Sequence, residues 1–239
     1  MFRFYKKNLL NFSLVWIFAY VFIFSAADSF SEALGTEKIL TAPVSLLFAG
    51  VLFGFLKRHD LMEECGLCAF RGNVRNYLYF LPLVLIASTN LWNGVTMNGS
   101  LWETALFILS MLCVGFLEEV IFRGFLFKAI SRDNLKIAIL VSSLTFGLGH
   151  IVNLLNGADL APTLLQICYA SAIGFLFVVI FYRGKSLLPC IFTHSVVNSL
   201  SIFGVKGSRA GEIITSFILC VVALGYGLWI WKKTEKSET

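Results

Sequence analysis

Long apolar stretches separated by short polar ones dominate this chain. A helix that crosses a bilayer needs about 20 mainly apolar residues. Eight stretches meet or approach that length: roughly 8–30, 39–56, 77–93, 102–130, 135–156, 160–182, 186–204 and 211–231. The third and seventh are short, and the seventh carries Pro189, His194 and Asn198, which makes it the weakest by hydropathy. The pattern predicts an all-α polytopic membrane bundle of about eight transmembrane helices. No polar segment is long enough to fold separately, so residues 1–239 read as a single integral membrane domain.

Composition agrees. The chain is 58% apolar and 14% charged, where soluble domains run at about 45–50% and about 25%. With 24 Phe and only 4 Pro, it suits long uninterrupted helices. The basic start followed by an apolar run resembles a signal peptide, but the run exceeds the roughly 7–15 apolar residues of a signal core, so it is expected to be a retained helix. Of six cysteines, Cys113, Cys168, Cys190 and Cys220 lie in apolar runs, while Cys65 and Cys68 form a lone CxxC. A single such pair is a weak metal or redox signal, and two reduced thiols are expected.

Charge predicts the orientation. With the N-terminus inside, fifteen Lys and Arg fall in the inner loops and ends, and only Lys38, Lys206 and Arg209 fall outside. By the positive-inside rule this places both termini in the cytosol. It also accounts for the net charge of +5 through topology and anionic lipid, without nucleic acid. The long loop around residues 57–76 mixes charged and apolar positions, as an interfacial helix would, and His59 within it reads as solvated. The tail from Lys232 reads as a disordered cytosolic end.

Few ionisable side chains fall well inside the apolar runs: Glu118, Glu119, Arg123, His150 and His194. Such residues are expensive in a membrane and mark function when they have partners. Glu119 and Arg123 are four apart and share a helix face, so they can neutralise each other. Glu118 is turned about 100° away, which leaves it as a candidate general base or acid. Gly147 and Gly149 precede His150 and let a neighbouring helix come close. His194 and Asn198 share the face of another helix. Pointing the three polar faces at one another satisfies them all. Such a set suits a hydrolase that activates water and binds an oxyanion, or a transporter's proton relay.

The stretches EEVIFR, FGLGH and HSVVN resemble the EExxxR, FxxxH and HxxxN motifs of the CPBP family, the CAAX and bacteriocin-processing intramembrane proteases. They occur in the family's order, on the fourth, fifth and seventh predicted helices, and mark 102–204 as the expected catalytic core. The resemblance implies an intramembrane endopeptidase acting on membrane-associated substrates, CAAX-type or bacteriocin-like, in a bacterial plasma membrane. Glu118 would polarise a water, His150 would help hold it, and His194 and Asn198 would bind the oxyanion. Glu119 and Arg123 would fix the helix. No cofactor is expected. Glu118, His150 and His194 are the set that would serve if zinc were used. The other reading is a transporter or bacteriocin-immunity protein that uses the cluster without proteolysis.

Depth sets one further expectation. At about 1.5 Å per residue, Glu118 lies about 24 Å from the outer end of its run. His194 lies about 12 Å and His150 about 22 Å from the cytosolic end. The site is then expected to open toward the cytosol, and the fifth helix must tilt or break near Gly147 or Gly149 to bring His150 in.

Overall fold

Asn8, Ser100 and Asn134 open three of the long helices, each accepting the N–H of the residue three positions on. This N-cap arrangement satisfies a donor that the helix leaves open. The computed structural model describes residues 1–235. Its helices are α1 (Phe2–Lys7), α2 (Leu9–Ala33), α3 (Thr41–Arg58), α4 (Leu81–Ser88), α5 (Leu101–Glu119), α6 (Lys128–Ser131), α7 (Leu135–Gly149), α8 (Leu160–Gly184), α9 (Leu188–Leu200) and α10 (Arg209–Glu235). No strand forms among the described residues; the one isolated bridge pairs Val95 with Gly204. The expected all-α membrane bundle is what the chain forms.

Six elements are long and apolar enough to span a bilayer: α2, α3, the continuous Leu101–Ser131 unit, Leu135–Leu154, α8 and α10. The third and seventh stretches are shorter. Left-handed backbone at Leu78, Tyr79 and Phe80 interrupts the third, leaving a 3-10 turn and the eight residues of α4. The seventh, α9 with a 3-10 extension, ends at Phe203.

Two expectations for the basic regions are corrected. The loop after α3 is not an interfacial helix. It turns inward, with Leu61 and Cys65 buried and the Gly66 carbonyl accepting the Leu187 N–H at 2.8 Å. Gly66 sits at φ +79, where a Cβ would press on Phe181 and Leu187. His59 is half-buried and stacks on Phe2, ring centroids 4.1 Å apart. At the other end of the chain, α10 carries helix through Lys232 and Lys233 to Glu235, so only the remainder of the expected disordered tail lies outside the described residues.

Cys65 and Cys68 are free thiols. Burial pushes the Cys65 thiol up to about 12, against a smaller downward pull from Lys128. The thiolate is the reactive form, so Cys65 should resist iodoacetamide at pH 8 in the folded protein and react on unfolding. Rapid native-state alkylation, read by mass spectrometry, would contradict this packing.

The bundle has two dissimilar ends. At the first, the inward loop is tied to its neighbours by Glu64, which pairs with Lys128 at 3.2 Å and Arg132 at 3.8 Å and accepts the Tyr5 hydroxyl at 3.3 Å. The basic loops gather here. At the second, polar contacts knit the outer loops: Asn98 to the Ile202 and Gly204 carbonyls, Ser25 to Asn156, and Lys38 to Asp28 at 2.8 Å.

Candidate active site

Close helix approaches bring the three motifs together. A Cβ at Gly115 of α5 would collide with Ser195 of α9, and one at Gly147 of α7 with Ser171 and the Ile167 carbonyl of α8. Gly149 has open space beside it, so only Gly147 serves the role expected of the pair. Small residues at such crossings let backbones approach in a membrane. Within the long unit, helix changes from α to π at Val120. Insertions of this kind often mark functional positions. The whole segment Val120–Phe127 is buried.

Glu119 and Arg123 are both 0% exposed and pair at 3.1 Å, as their spacing predicts. The same Glu119 oxygen also faces His194 Nδ1 at 2.9 Å. A carboxylate can only accept, so Nδ1 carries the hydrogen and Nε2 is left for the cavity. Nε2 lies 3.7 Å from Glu118 Oε2. His150 Nδ1 faces the Phe146 carbonyl at 3.2 Å, which again assigns the hydrogen to Nδ1 and leaves Nε2 available.

Phe146 is the hub. Its ring lies edge-on to His150 (5.7 Å) and His194 (5.5 Å), and the Arg123 guanidinium sits 4.0 Å from its centroid. An aromatic face attracts such a cation, so this ring both supports the buried arginine and spaces the two histidines.

Glu118, His150, His194 and Asn198 all line one cavity of about 670 Å³, within the range of ligand-holding clefts. Glu118 is 15% exposed, whereas Glu119 is sealed. The sequence reading missed one partner. Tyr20 of α2 donates its hydroxyl to Glu118 Oε1 at 2.6 Å. A tyrosine in an aromatic-rich membrane run carries no spacing signal, and the contact joins residues 98 apart.

The depth problem dissolves for a plain reason. Glu118 stands 13 residues before Ser131 and His150 15 residues after Leu135. Those are about 20 Å and about 22 Å from the same end of the bundle. The fourth span is 31 residues long, so its middle matches the far end of α7. The helix does not break near Gly147 or Gly149; it tightens from α to 3-10 at His150 and runs on to Leu154.

The cavity runs from Glu118 to Asp28, Lys38, Asn93, Asn156, Lys206 and Glu212, all at the end opposite the basic loops. Among the described residues no three His, Cys, Asp or Glu are grouped to hold a metal ion.

Neither the curated proteins nor the solved structures contain a match to this chain. A family model does match: type II CAAX prenyl endopeptidase Rce1-like, over residues 100–200, the span of all three motifs. The matched residues, similar to that family, carry Glu118, His150, His194 and Asn198, which line this cavity.

Proposed function

We propose that the protein is an intramembrane endopeptidase in which Glu118 activates water without a metal. The observation that carries this reading is the convergence of Glu118, His150, His194 and Asn198 on one cavity within the bundle. A water held between Glu118 and His150 Nε2 gives a proton to Glu118 as its oxygen attacks the scissile carbonyl. The Asn198 amide donates to the resulting oxyanion, joined by His194 when its Nε2 carries a proton. Breaking the C–N bond then returns the proton to the leaving amine. Glu119 holds the His194 ring through Nδ1, and Arg123 balances the buried charge. We assign the catalytic core to 102–204 and orient both termini to the cytosol from the distribution of Lys and Arg.

The test is cleavage of a membrane-peptide library by purified protein, with and without chelator. Chelator-resistant cleavage is expected. Chelator-sensitive cleavage overturns the metal-free mechanism. Ion-gradient-driven uptake in liposomes, without cleavage, would favour a transporter instead.

Tyr20 is a positioning residue in this scheme, since it acts through Glu118. Hydrogen bonds to charged groups contribute about 1.5–3 kcal/mol. Tyr20→Phe should therefore lower kcat roughly tenfold to a hundredfold with KM nearly unchanged. Steady-state kinetics on a cleaved peptide decide this, and an unchanged kcat would remove Tyr20 from the mechanism.

A further inference from the structure

We propose that Asn90, in the segment between α4 and α5, is a positioning residue for the reaction: it holds the turn of α9 that aims the Asn198 amide. The inference rests on the reading of Asn198 as the oxyanion donor.

The need arises from the backbone. In an unbroken α-helix the Ser201 N–H would bond to the Val197 carbonyl, four residues back. Here the helix tightens to a 3-10 turn after Leu200, and the Ser201 N–H bonds to the Asn198 carbonyl instead. Helix ends often close in this way, but the change takes from the Val197 carbonyl its α-helical partner. Asn90 Nδ2 donates to that carbonyl at 2.7 Å, across 107 residues of chain. Val197 immediately precedes Asn198, and Asn90, Val197 and Asn198 line the cavity together.

Asn198 depends on this support more than its neighbour does. Among the described residues its side-chain amide makes no hydrogen bond, while its carbonyl accepts the Ser201 hydroxyl at 2.7 Å. The direction of the amide is therefore set by the backbone that carries it. His194, one turn earlier on α9, has its own anchor in Glu119 at 2.9 Å. A slack helix end would move the amide and leave the imidazole in place.

The segment that carries Asn90 is itself well fixed. Val95 bridges Gly204, and the Thr96 N–H bonds to the Phe203 carbonyl at 2.9 Å. Asn98 Nδ2 reaches the Ile202 and Gly204 carbonyls at 2.9 and 3.0 Å. Gly204 has no side chain where a Cβ would press on the Asn90 carbonyl. Those bonds hold residues beyond the end of α9, and the Asn90 amide is the one among these contacts that reaches back into the helix.

Kinetics on a cleaved peptide test the assignment. Misplacing a reacting group by about 1 Å can cost about a hundredfold. Asn90→Ala should therefore lower kcat roughly tenfold to a hundredfold with KM nearly unchanged. Asn90→Leu fills a similar volume without a donor and should lose as much, so the test survives if the alanine variant folds poorly. Parent-like kcat in Asn90→Leu overturns the proposal.

The double variant of Asn90→Ala with Asn198→Ala separates positioning from general support. A residue that acts through Asn198 has nothing left to position once that amide is gone. The double variant should then cleave as fast as Asn198→Ala alone. A further loss of about tenfold overturns the proposal, because Asn90 would be acting elsewhere. Asn198→Ala alone reports on the underlying reading, since removing an oxyanion donor costs about a hundredfold to a thousandfold. Parent-like kcat in that variant refutes the oxyanion role, and the proposal with it. A slow Asn198→Ala beside a parent-like Asn90→Leu refutes the proposal alone.

Discussion

Glu118→Gln should insert and fold like the parent protein yet cleave peptide about a hundredfold to ten-thousandfold more slowly, the range that general acid–base catalysis supplies. The replacement is chosen for what it keeps. A glutamine amide oxygen can still accept the Tyr20 hydroxyl, which now bonds to Glu118 Oε1 at 2.6 Å, and its volume leaves the cavity wall intact. What it loses is the capacity to take a proton from water. Glu118 is also the partly exposed member of its pair, at 15%, so neutralising it strands no buried charge. Matching melting curves in detergent would show that the loss is chemical. Activity above a tenth of the parent would exclude Glu118 as the base. His150→Ala and His194→Ala are expected to lose cleavage as well, since each removes a ring nitrogen that faces the cavity.

How much of this was legible in the sequence varies with the range of the interaction. The six long spans are visible because a bilayer demands unbroken apolar length. The Glu119–Arg123 pair is visible because helix geometry fixes what lies four residues away. Contacts between helices are not periodic in sequence, so the Glu119–His194 bond and the Tyr20–Glu118 bond had no local signal. The inward loop failed differently. Its mixture of charged and apolar residues suits an amphipathic helix, yet Leu61 and Cys65 are buried within the bundle while Glu63 and Glu64 make ion pairs at its rim. Which side of the bundle is packed solid had no local signal either, because depth along one helix does not reveal it.

Arg123→Ala should be the most destabilising single substitution in the site. Removing one partner of a buried ion pair costs about 3–5 kcal/mol, because the other charge stays buried and uncompensated. That is a large part of the about 5–15 kcal/mol that holds a typical domain. Here the loss has three parts: the 3.1 Å bond to Glu119, the contact with the Phe146 ring at 4.0 Å, and the reach to the Gly174 carbonyl at 3.5 Å. Arg123→Lys should recover only part, since an ammonium keeps the charge but not the planar fork that serves several partners at once. The double variant Glu119→Ala with Arg123→Ala separates stability from chemistry. It buries no lone charge, so its melting temperature should rise above that of Arg123→Ala alone. It should still be inactive, because His194 has lost the acceptor that fixes its ring through Nδ1. A double variant no more stable than the single one would mean that the ion pair is not what Arg123 contributes. One that cleaved like the parent would mean that Glu119 does not orient His194 for the reaction.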